Sequence, residues 1–144
     1  MKLIINKKAR YDYEISKTYT AGIVLEGREV KSLRAKHASL TGSFVKIINS
    51  EAFLLNAQIN PYAFAKNDDY NPKRTRKLLL TKKEIADLDQ ATNNKGWMII
   101  PLSIFLKGRN IKVDIGLGKG KKVHEKREAI KKRDLEREVR RDTL

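Results

Sequence analysis

The 144-residue sequence predicts a mainly β fold, a small antiparallel β-barrel with two to three flanking α-helices and a charged C-terminal tail. Three observations support this prediction. Several short segments alternate apolar and polar residues, few segments show helical spacing, and the end of the chain is rich in charge but poor in apolar residues. Alternation with a period of two is typical of half-buried strands, and short antiparallel strands of this kind readily close into barrels. We therefore expect a barrel in residues 1–118 and a tail in residues 119–144.

The first long strand is expected over residues 11–25, where apolar and polar side chains alternate. Gly22 lies within this pattern and indicates a bulge or a bend, as barrels require. Residues 26–36 instead place Val30 and Leu33 three positions apart, which predicts a short amphipathic helix with one buried stripe.

A β-hairpin is expected next, because residues 43–49 and 52–60 are two apolar segments separated by a short polar turn. Residues 61–75 contain many turn-forming residues and predict a flexible loop.

The second half of the body begins with Thr81 and Glu84, which have the spacing of a helix-capping box and predict a helix that extends to about Asn93. Two further strands are expected, one at the apolar segment of residues 97–106 and one at residues 110–117, where apolar residues alternate with polar or small ones. The body is thus predicted to have five or six strands and two helices.

A glycine-rich segment over residues 116–120 is expected to end the body as a hinge. Residues 121–144 contain no glycine or proline, and oppositely charged residues four positions apart support a helix by about 0.2–0.5 kcal/mol per pair. An isolated helix without a packing face is marginal in water. We therefore predict a tail that is disordered alone and helical when bound.

The formal net charge of +15 is the most informative property of the composition. Residues 1–118 contain 21 Lys/Arg and 11 Asp/Glu, and residues 119–144 contain 11 Lys/Arg and 6 Asp/Glu. Both parts are basic, so the body itself is expected to present a basic surface to an anionic partner. Nucleic acid, an anionic membrane and an acidic protein surface all have the required charge.

Other features narrow the class of protein. No apolar segment is long enough to cross a bilayer, and the N-terminus lacks the apolar region of a secretory signal. The chain has no cysteine, which excludes thiol chemistry and fits a reducing compartment. We expect a soluble cytoplasmic protein that has no membrane partner.

Catalysis finds little support in the sequence. The two histidines lie in unrelated contexts, and no nucleophile motif or metal-ligand spacing is apparent. The glycines of residues 116–120 lack the strand-to-helix spacing of a nucleotide-binding loop. We expect neither an enzyme nor a cofactor or metal site.

The basic cluster of residues 73–77 has two interpretations, a solvated loop or an RNA contact. The net positive charge of the body favours RNA contact, and a small barrel that binds RNA is most often of the oligonucleotide-binding (OB) type. Residues 6–10 form a similar but weaker signal, because basic N-terminal arms are common.

Several motifs resemble one family. They are Asn6-Lys7-Lys8-Ala9-Arg10-Tyr11-Asp12-Tyr13, Ala21-Gly22-Ile23, Gly27-Arg28-Glu29-Val30-Lys31-Ser32-Leu33-Arg34-Ala35, Arg74-Thr75-Arg76-Lys77-Leu78-Leu79-Leu80 and Lys119-Gly120-Lys121-Lys122. His124-Glu125-Lys126-Arg127 follows the last of them. In this order they resemble the SmpB family, the SsrA-binding proteins that act with transfer-messenger RNA in bacterial trans-translation.

The resemblance implies an OB-like barrel that binds the tRNA-like domain of transfer-messenger RNA and delivers it to stalled ribosomes. It further implies that the tail becomes helical in the decoding centre and the empty messenger channel of the small subunit. Elongation factor Tu is a further candidate partner in the delivery complex.

The site residues follow from the same resemblance. The RNA-binding residues it implies are Asn6, Lys7, Lys8, Arg10, Thr20, Lys73, Arg74, Arg76, Lys77 and Leu79. Those implied to contact the decoding centre are Lys119, Gly120, Lys121, Lys122, His124, Lys126 and Arg127. Thr20 is a departure, because family members often carry glutamate there; its hydroxyl forms hydrogen bonds but has no charge.

Two alternatives remain open on the sequence alone. A general RNA-binding protein or a structural protein of the ribosome would share the basic barrel and tail, and would bind many RNAs with weak preference. A nuclease or RNA-modifying enzyme would turn over labelled RNA.

Overall fold

The computed structural model describes residues 1–65 and 69–121 of the chain. The strands are β1 (Lys2–Ile5), β2 (Tyr13–Ile23), β3 (Ala38–Ser39), β4 (Phe44–Ile48), β5 (Glu51–Leu55), β6 (Gln58–Ile59), β7 (Arg76–Leu79), β8 (Trp97–Lys107) and β9 (Asn110–Gly120). The helices are α1 (Ala9–Asp12), α2 (Gly27–Arg34) and α3 (Lys82–Thr92). The predicted mainly β fold with few helices is confirmed, although the described residues form more strands than expected.

Seven strands form one antiparallel sheet in the order β1-β8-β4-β5-β7-β2-β9. A further pairing of β8 with β9 joins the two sides of this sheet, so that six strands form a closed ring. β1 lies on β8 beside residues 103–105, whereas β4 pairs with β8 near Ile99. The short strands β3 and β6 pair separately. Closure of the ring leaves few unpaired strand edges.

The core fills the interior of this ring. Its fully buried side chains from the strands include Leu54, Leu78, Ile99, Val113 and Ile115, and the helices add Leu33 and Leu88. Burial of a large aliphatic side chain stabilises the fold by about 1.5–3 kcal/mol, so Leu33 holds α2 and Leu88 holds α3 against the core.

Local signals in the sequence account for several elements. Asn49 and Ser50 have φ angles of 49° and 61° and form the two-residue turn of the predicted β4–β5 hairpin. Such primed turns require positive φ at both central residues and match the twist of the strands. The capping box of α3 is also confirmed, because Glu84 N–H donates to the Thr81 hydroxyl at 3.2 Å.

The predicted first strand was wrong at its start, where residues 9–12 form α1. Ala9 is buried against Ile100 and Leu102, which docks this short helix on β8. The strand therefore begins at Tyr13.

The hinge predicted for residues 116–120 was also wrong, because β9 continues through Gly120. A β-carbon added to Gly116 would lie 2.8 Å from Ile15 Cγ2, and one added to Gly118 would lie 3.0 Å from Ile15 Cδ1. These glycines thus make room for a side chain of the neighbouring strand. Lys121 then donates its backbone N–H to Asp12 O at 2.9 Å, so Lys121 still packs on the body.

The loop over residues 61–75 was predicted to be flexible, but hydrogen bonds hold its second part against the body. Tyr70 donates its hydroxyl to Ile59 O at 2.7 Å, and Arg76 Nη2 donates to Pro72 O at 3.0 Å. Within the described ranges, no helix is long and apolar enough to cross a membrane.

Candidate nucleic-acid interface

A groove of about 480 Å³ lies beside β1 and α1, on the outer face of β2 and β9. We call it the N-terminal groove, and its lining residues are Lys2, Ile5, Asn6, Lys7, Arg10, Thr18, Thr20, Leu102, Ser103 and Asp114. Four residues that the sequence nominated for RNA binding therefore lie together, namely Asn6, Lys7, Arg10 and Thr20.

The backbone of this region explains why the polar side chains point outward. Thr18 and Thr20 alternate in β2 with Tyr19, which packs against the core, and with fully buried Ala21. Asn6 Nδ2 donates to Pro101 O at 2.9 Å, which fixes the turn that leads into α1. With Ala9 buried behind them, the side chains of Lys7 and Arg10 remain exposed.

Lys8 lies on the other side of Asn6 and lines a neighbouring cavity of about 390 Å³, together with Gly42 and Phe44. Its side chain therefore belongs to the same basic corner of the protein, but it does not line the N-terminal groove.

The outer face of β2 and β9 continues to a second depression of about 330 Å³, which we call the Leu79 groove. Its lining residues are Gly22, Ile23, Leu25, Val30, Leu79, Arg109, Asn110, Ile111 and Lys112. The register joins the two grooves, because Thr20 pairs with Asp114 and Gly22 pairs with Lys112. One surface therefore extends from Arg10 to Leu79.

Leu79 is unusual for a large apolar side chain because it is 54% exposed. Its neighbour Gly22 has no side chain to cover it, and a β-carbon there would lie 3.2 Å from Leu79 Cβ. An exposed apolar side chain between cations provides a surface on which a base or a ribose can pack.

The sequence reasoning missed four charged residues of this surface, namely Lys2, Arg109, Lys112 and Asp114. The signal was present for two of them, since Lys112 and Asp114 alternate with buried Val113 and must point outward. Arg109 lies in the turn between β8 and β9 and has no comparable pattern.

Arg76 was predicted to contact RNA, and this prediction was wrong because its side chain is fully buried. Its Nε donates to Glu29 Oε2 at 2.8 Å and its Nη1 donates to Ala57 O at 2.7 Å. Arg76 and Leu78 point inward while Lys77 and Leu79 point outward. Arg76 therefore belongs to the framework rather than to the interface.

The rest of the predicted basic cluster divides into separate environments. Arg74 donates to Glu29 and lies 3.8 Å from Glu26, whereas Lys77 lies 3.4 Å from Glu51 in an exposed ion pair. Lys73 is exposed on the loop before β7. None of the three lines either groove, so their RNA contact stays a prediction.

Glu29 is the fully buried acceptor of this framework. Burial would raise the pKa of its carboxyl, but hydrogen bonds from Arg74, from the Glu26 backbone and from Arg76 outweigh burial and lower the pKa below its ordinary value of 4.5. Burial and the adjacent Glu29 charge raise the pKa of Tyr70.

A lowered pKa makes the fold sensitive to acid. Glu29 adds stability above its pKa in the unfolded chain, and this contribution declines as the pH falls from about 4.5 toward the lower pKa of the folded chain. We expect the acid-induced loss of unfolding free energy over this window to be smaller in Glu29→Gln. Urea unfolding at a series of pH values measures it, with Glu51→Gln as an exposed control. Equal losses in the two variants would contradict the assignment.

The residues predicted to contact the decoding centre are only partly described. Lys119 and Gly120 end β9, where they pair with Glu14 and Tyr13. Lys121 Nζ donates to Arg10 O at 2.8 Å. Lys122, His124, Lys126 and Arg127 lie outside the described residues, as does the predicted tail helix.

No group of three or more potential metal-ligating side chains occurs among residues 1–65 and 69–121. The two grooves present cations, hydroxyls, an amide and apolar groups. Groups of these kinds bind nucleic acid.

Comparisons with known proteins show which family the chain resembles. A family model described as SmpB protein matches residues 3–144. The SsrA-binding protein of Bacillus pumilus is 48% identical over 136 residues, which cover 94% of this chain and 87% of that protein. The SsrA-binding protein of Lactobacillus delbrueckii subsp. bulgaricus is 50% identical over 136 residues, which cover 94% of this chain and 89% of that protein.

A solved structure described as "tmRNA-SmpB: a journey to the center of the bacterial ribosome" contains a similar chain. The TM-score is 0.73 at 42% identity, and the match covers 90% of this chain and 95% of that chain. With the family model matched over nearly the whole length and relatives at about half identity, the chain belongs to the SmpB protein family.

Proposed function

We propose that this chain binds the tRNA-like domain of transfer-messenger RNA and delivers it to stalled ribosomes for trans-translation. The observation that carries the proposal is the continuous surface from the N-terminal groove to the Leu79 groove, which unites Asn6, Lys7, Arg10, Thr20 and Leu79. The relatives named SsrA-binding protein and the solved tmRNA-SmpB structure support the identity of the RNA.

The chemistry of the surface fits a folded RNA. Lys7 and Arg10 at one end, and Arg109 and Lys112 at the other, neutralise backbone phosphates. The Thr18 hydroxyl donates a hydrogen bond to a phosphate or ribose oxygen. Exposed Leu79 packs against an unstacked base or a sugar. A surface of this kind recognises the shape and the backbone of the RNA.

The tail has a separate role in the proposal. Residues 122–144 enter the decoding centre and the empty messenger channel, where basic side chains contact ribosomal RNA and His124 stacks on or bonds to a base. The tail leaves the body beside Arg10, because Lys121 bonds to the backbone of Arg10 and of Asp12. The chain acts in the cytoplasm, as a binding factor rather than as an enzyme.

A competition experiment tests the proposed function against a general RNA-binding role. The full chain is expected to bind a tRNA-like transcript of transfer-messenger RNA, and the logarithm of the affinity should fall linearly with that of the salt concentration. Unlabelled structured RNAs of equal length should compete weakly. Equal competition by all of them would instead support a general RNA-binding or ribosomal structural protein.

Variants of the N-terminal groove locate the binding surface. Lys7→Ala and Arg10→Ala are each expected to weaken binding about tenfold, and to reduce the magnitude of the salt slope by about 0.7–0.9 per lost phosphate contact. Lys83 occupies an exposed position of α3, outside both grooves. Lys83→Ala is therefore the matched control and should bind like the unmodified chain. A loss in the control as large as in the groove variants would place the RNA elsewhere. Filter binding at several salt concentrations supplies both quantities.

A further inference from the structure

The N-terminal groove contains an acidic side chain among its cations. Asp114 lines the groove together with Lys2, Lys7 and Arg10, and its side chain is partly buried. Its Oδ1 accepts a hydrogen bond from the Thr20 hydroxyl at 2.8 Å, across the paired strands β2 and β9. Within the described part of the chain, the Asp114 carboxylate lies in no ion pair.

A carboxylate opposes the binding of phosphate, so its place in a phosphate-binding groove needs another explanation. An ionised carboxylate is only an acceptor, with about four lone-pair sites, and the Thr20 hydroxyl occupies one of them. The remaining acceptor sites match groups that RNA offers as donors, namely the ribose 2′-hydroxyl and the amino and imino groups of the bases.

Thr20 has a positioning role in this arrangement. The two residues form a cross-strand pair on the outer face of the sheet, where their β-carbons lie within reach of each other. A donated hydroxyl hydrogen bond restricts the rotation of the carboxylate before RNA arrives. Such preorganisation lowers the entropic cost of binding.

We propose that Asp114, oriented by Thr20, accepts a hydrogen bond from an O–H or N–H donor of the bound RNA and thereby selects for that RNA. The inference rests on the proposed function, because it requires RNA in the N-terminal groove. Lys7 and Arg10 attract any phosphate backbone. Asp114 instead repels a misplaced phosphate and stabilises the complex when a donor of the RNA lies within hydrogen-bond distance.

The direction in which Asp114→Asn changes the affinity for RNA tests the proposed hydrogen bond. Asp114→Asn removes a negative charge from a basic groove, so electrostatics alone would make the variant bind RNA more tightly. If Asp114 accepts a hydrogen bond from the RNA, the variant should instead bind about tenfold more weakly. The salt slope should stay unchanged, because no cation–phosphate contact is lost. Equal or tighter binding by Asp114→Asn would overturn the proposal.

Matched variants separate this contact from a structural role. Asp89→Asn, on the exposed surface of α3, should leave the affinity unchanged. Thr20→Val removes the orienting hydroxyl and should weaken binding severalfold, whereas Thr20→Ser retains a hydroxyl and should bind like the unmodified chain. Thermal unfolding of each variant verifies that the barrel is intact, and an unaffected Thr20→Val would refute the positioning role.

Modified RNAs identify the donor. Single 2′-deoxy substitutions remove ribose donors, and inosine in place of guanosine removes the 2-amino group. One modification should weaken binding to the unmodified chain but not to Asp114→Asn, as in a double-mutant cycle. If every modification is additive with the variant, Asp114 does not contact the RNA. Binding of the unmodified chain without salt dependence would contradict the proposed function itself, whereas salt-dependent binding that tightens in Asp114→Asn contradicts only this inference.

Discussion

Replacing Arg76 with methionine is expected to reduce the free energy of unfolding by about 3–5 kcal/mol, because it removes the fully buried partner of the buried Glu29 carboxylate. Both side chains are fully buried, and Arg76 binds Glu29 through both Nε and Nη2. The guanidinium also donates to the carbonyl oxygens of Ala57 and Pro72. Its loss therefore detaches the loop before β7 as well.

Urea unfolding at pH 7 measures the effect, and Arg74→Met is the matched control. Arg74 bonds to the same carboxylate but is about a third exposed, so solvent replaces it at a smaller cost. Arg76→Met combined with Glu29→Gln should be more stable than Arg76→Met alone, because the carboxylate that loses its buried partner is then replaced by a neutral amide. A single variant as stable as the Arg74 control would show that the pair contributes little.

Deleting residues 122–144 is expected to abolish peptide tagging on stalled ribosomes while leaving the affinity for the tRNA-like RNA unchanged. The cut belongs after Lys121, because Lys119 and Gly120 pair with β2 and Lys121 bonds to α1. A cut after Gly118 would remove part of β9, and a loss of tagging would then have two causes.

The matched control for the deletion is a full-length chain whose residues 122–144 are shuffled, which keeps the composition and the net charge. It should bind RNA normally and should also fail to tag, since a shuffled order disrupts the spacing of charged pairs on which the proposed tail helix depends. Tagging by the truncated chain would contradict the proposed role of the tail. Tagging by the shuffled chain would show that charge alone is sufficient.

The elements that the sequence predicted well are those with a local physical signal. The hairpin turn needs positive φ at Asn49 and Ser50, and α3 starts at a capping box formed by Thr81 and Glu84. The apolar segment of residues 97–106 located most of β8, and the alternation over residues 110–117 located most of β9. These signals depend on neighbours within a few positions in the chain.

The errors arose where a residue is explained by a partner that is distant in sequence. Arg76 looked like part of a basic cluster, but its place is set by Glu29 on α2. Gly116 looked like a hinge, but it makes room for Ile15 of β2. The sequence contains no functional signal for Asp114, which becomes a candidate only because the register of β2 and β9 places it beside Thr20. Each required the three-dimensional pairing.

The pairing of β2 with β9 also has a consequence for the synthesis of the protein. The residues of β2 are synthesised early in translation, but β9, which pairs with most of β2, spans residues 110–120. A nascent chain that stops before that point keeps an open strand edge, which promotes aggregation. Because the N-terminal groove also needs Asp114 from β9, RNA binding in that groove becomes available only after residues 110–120 have been translated.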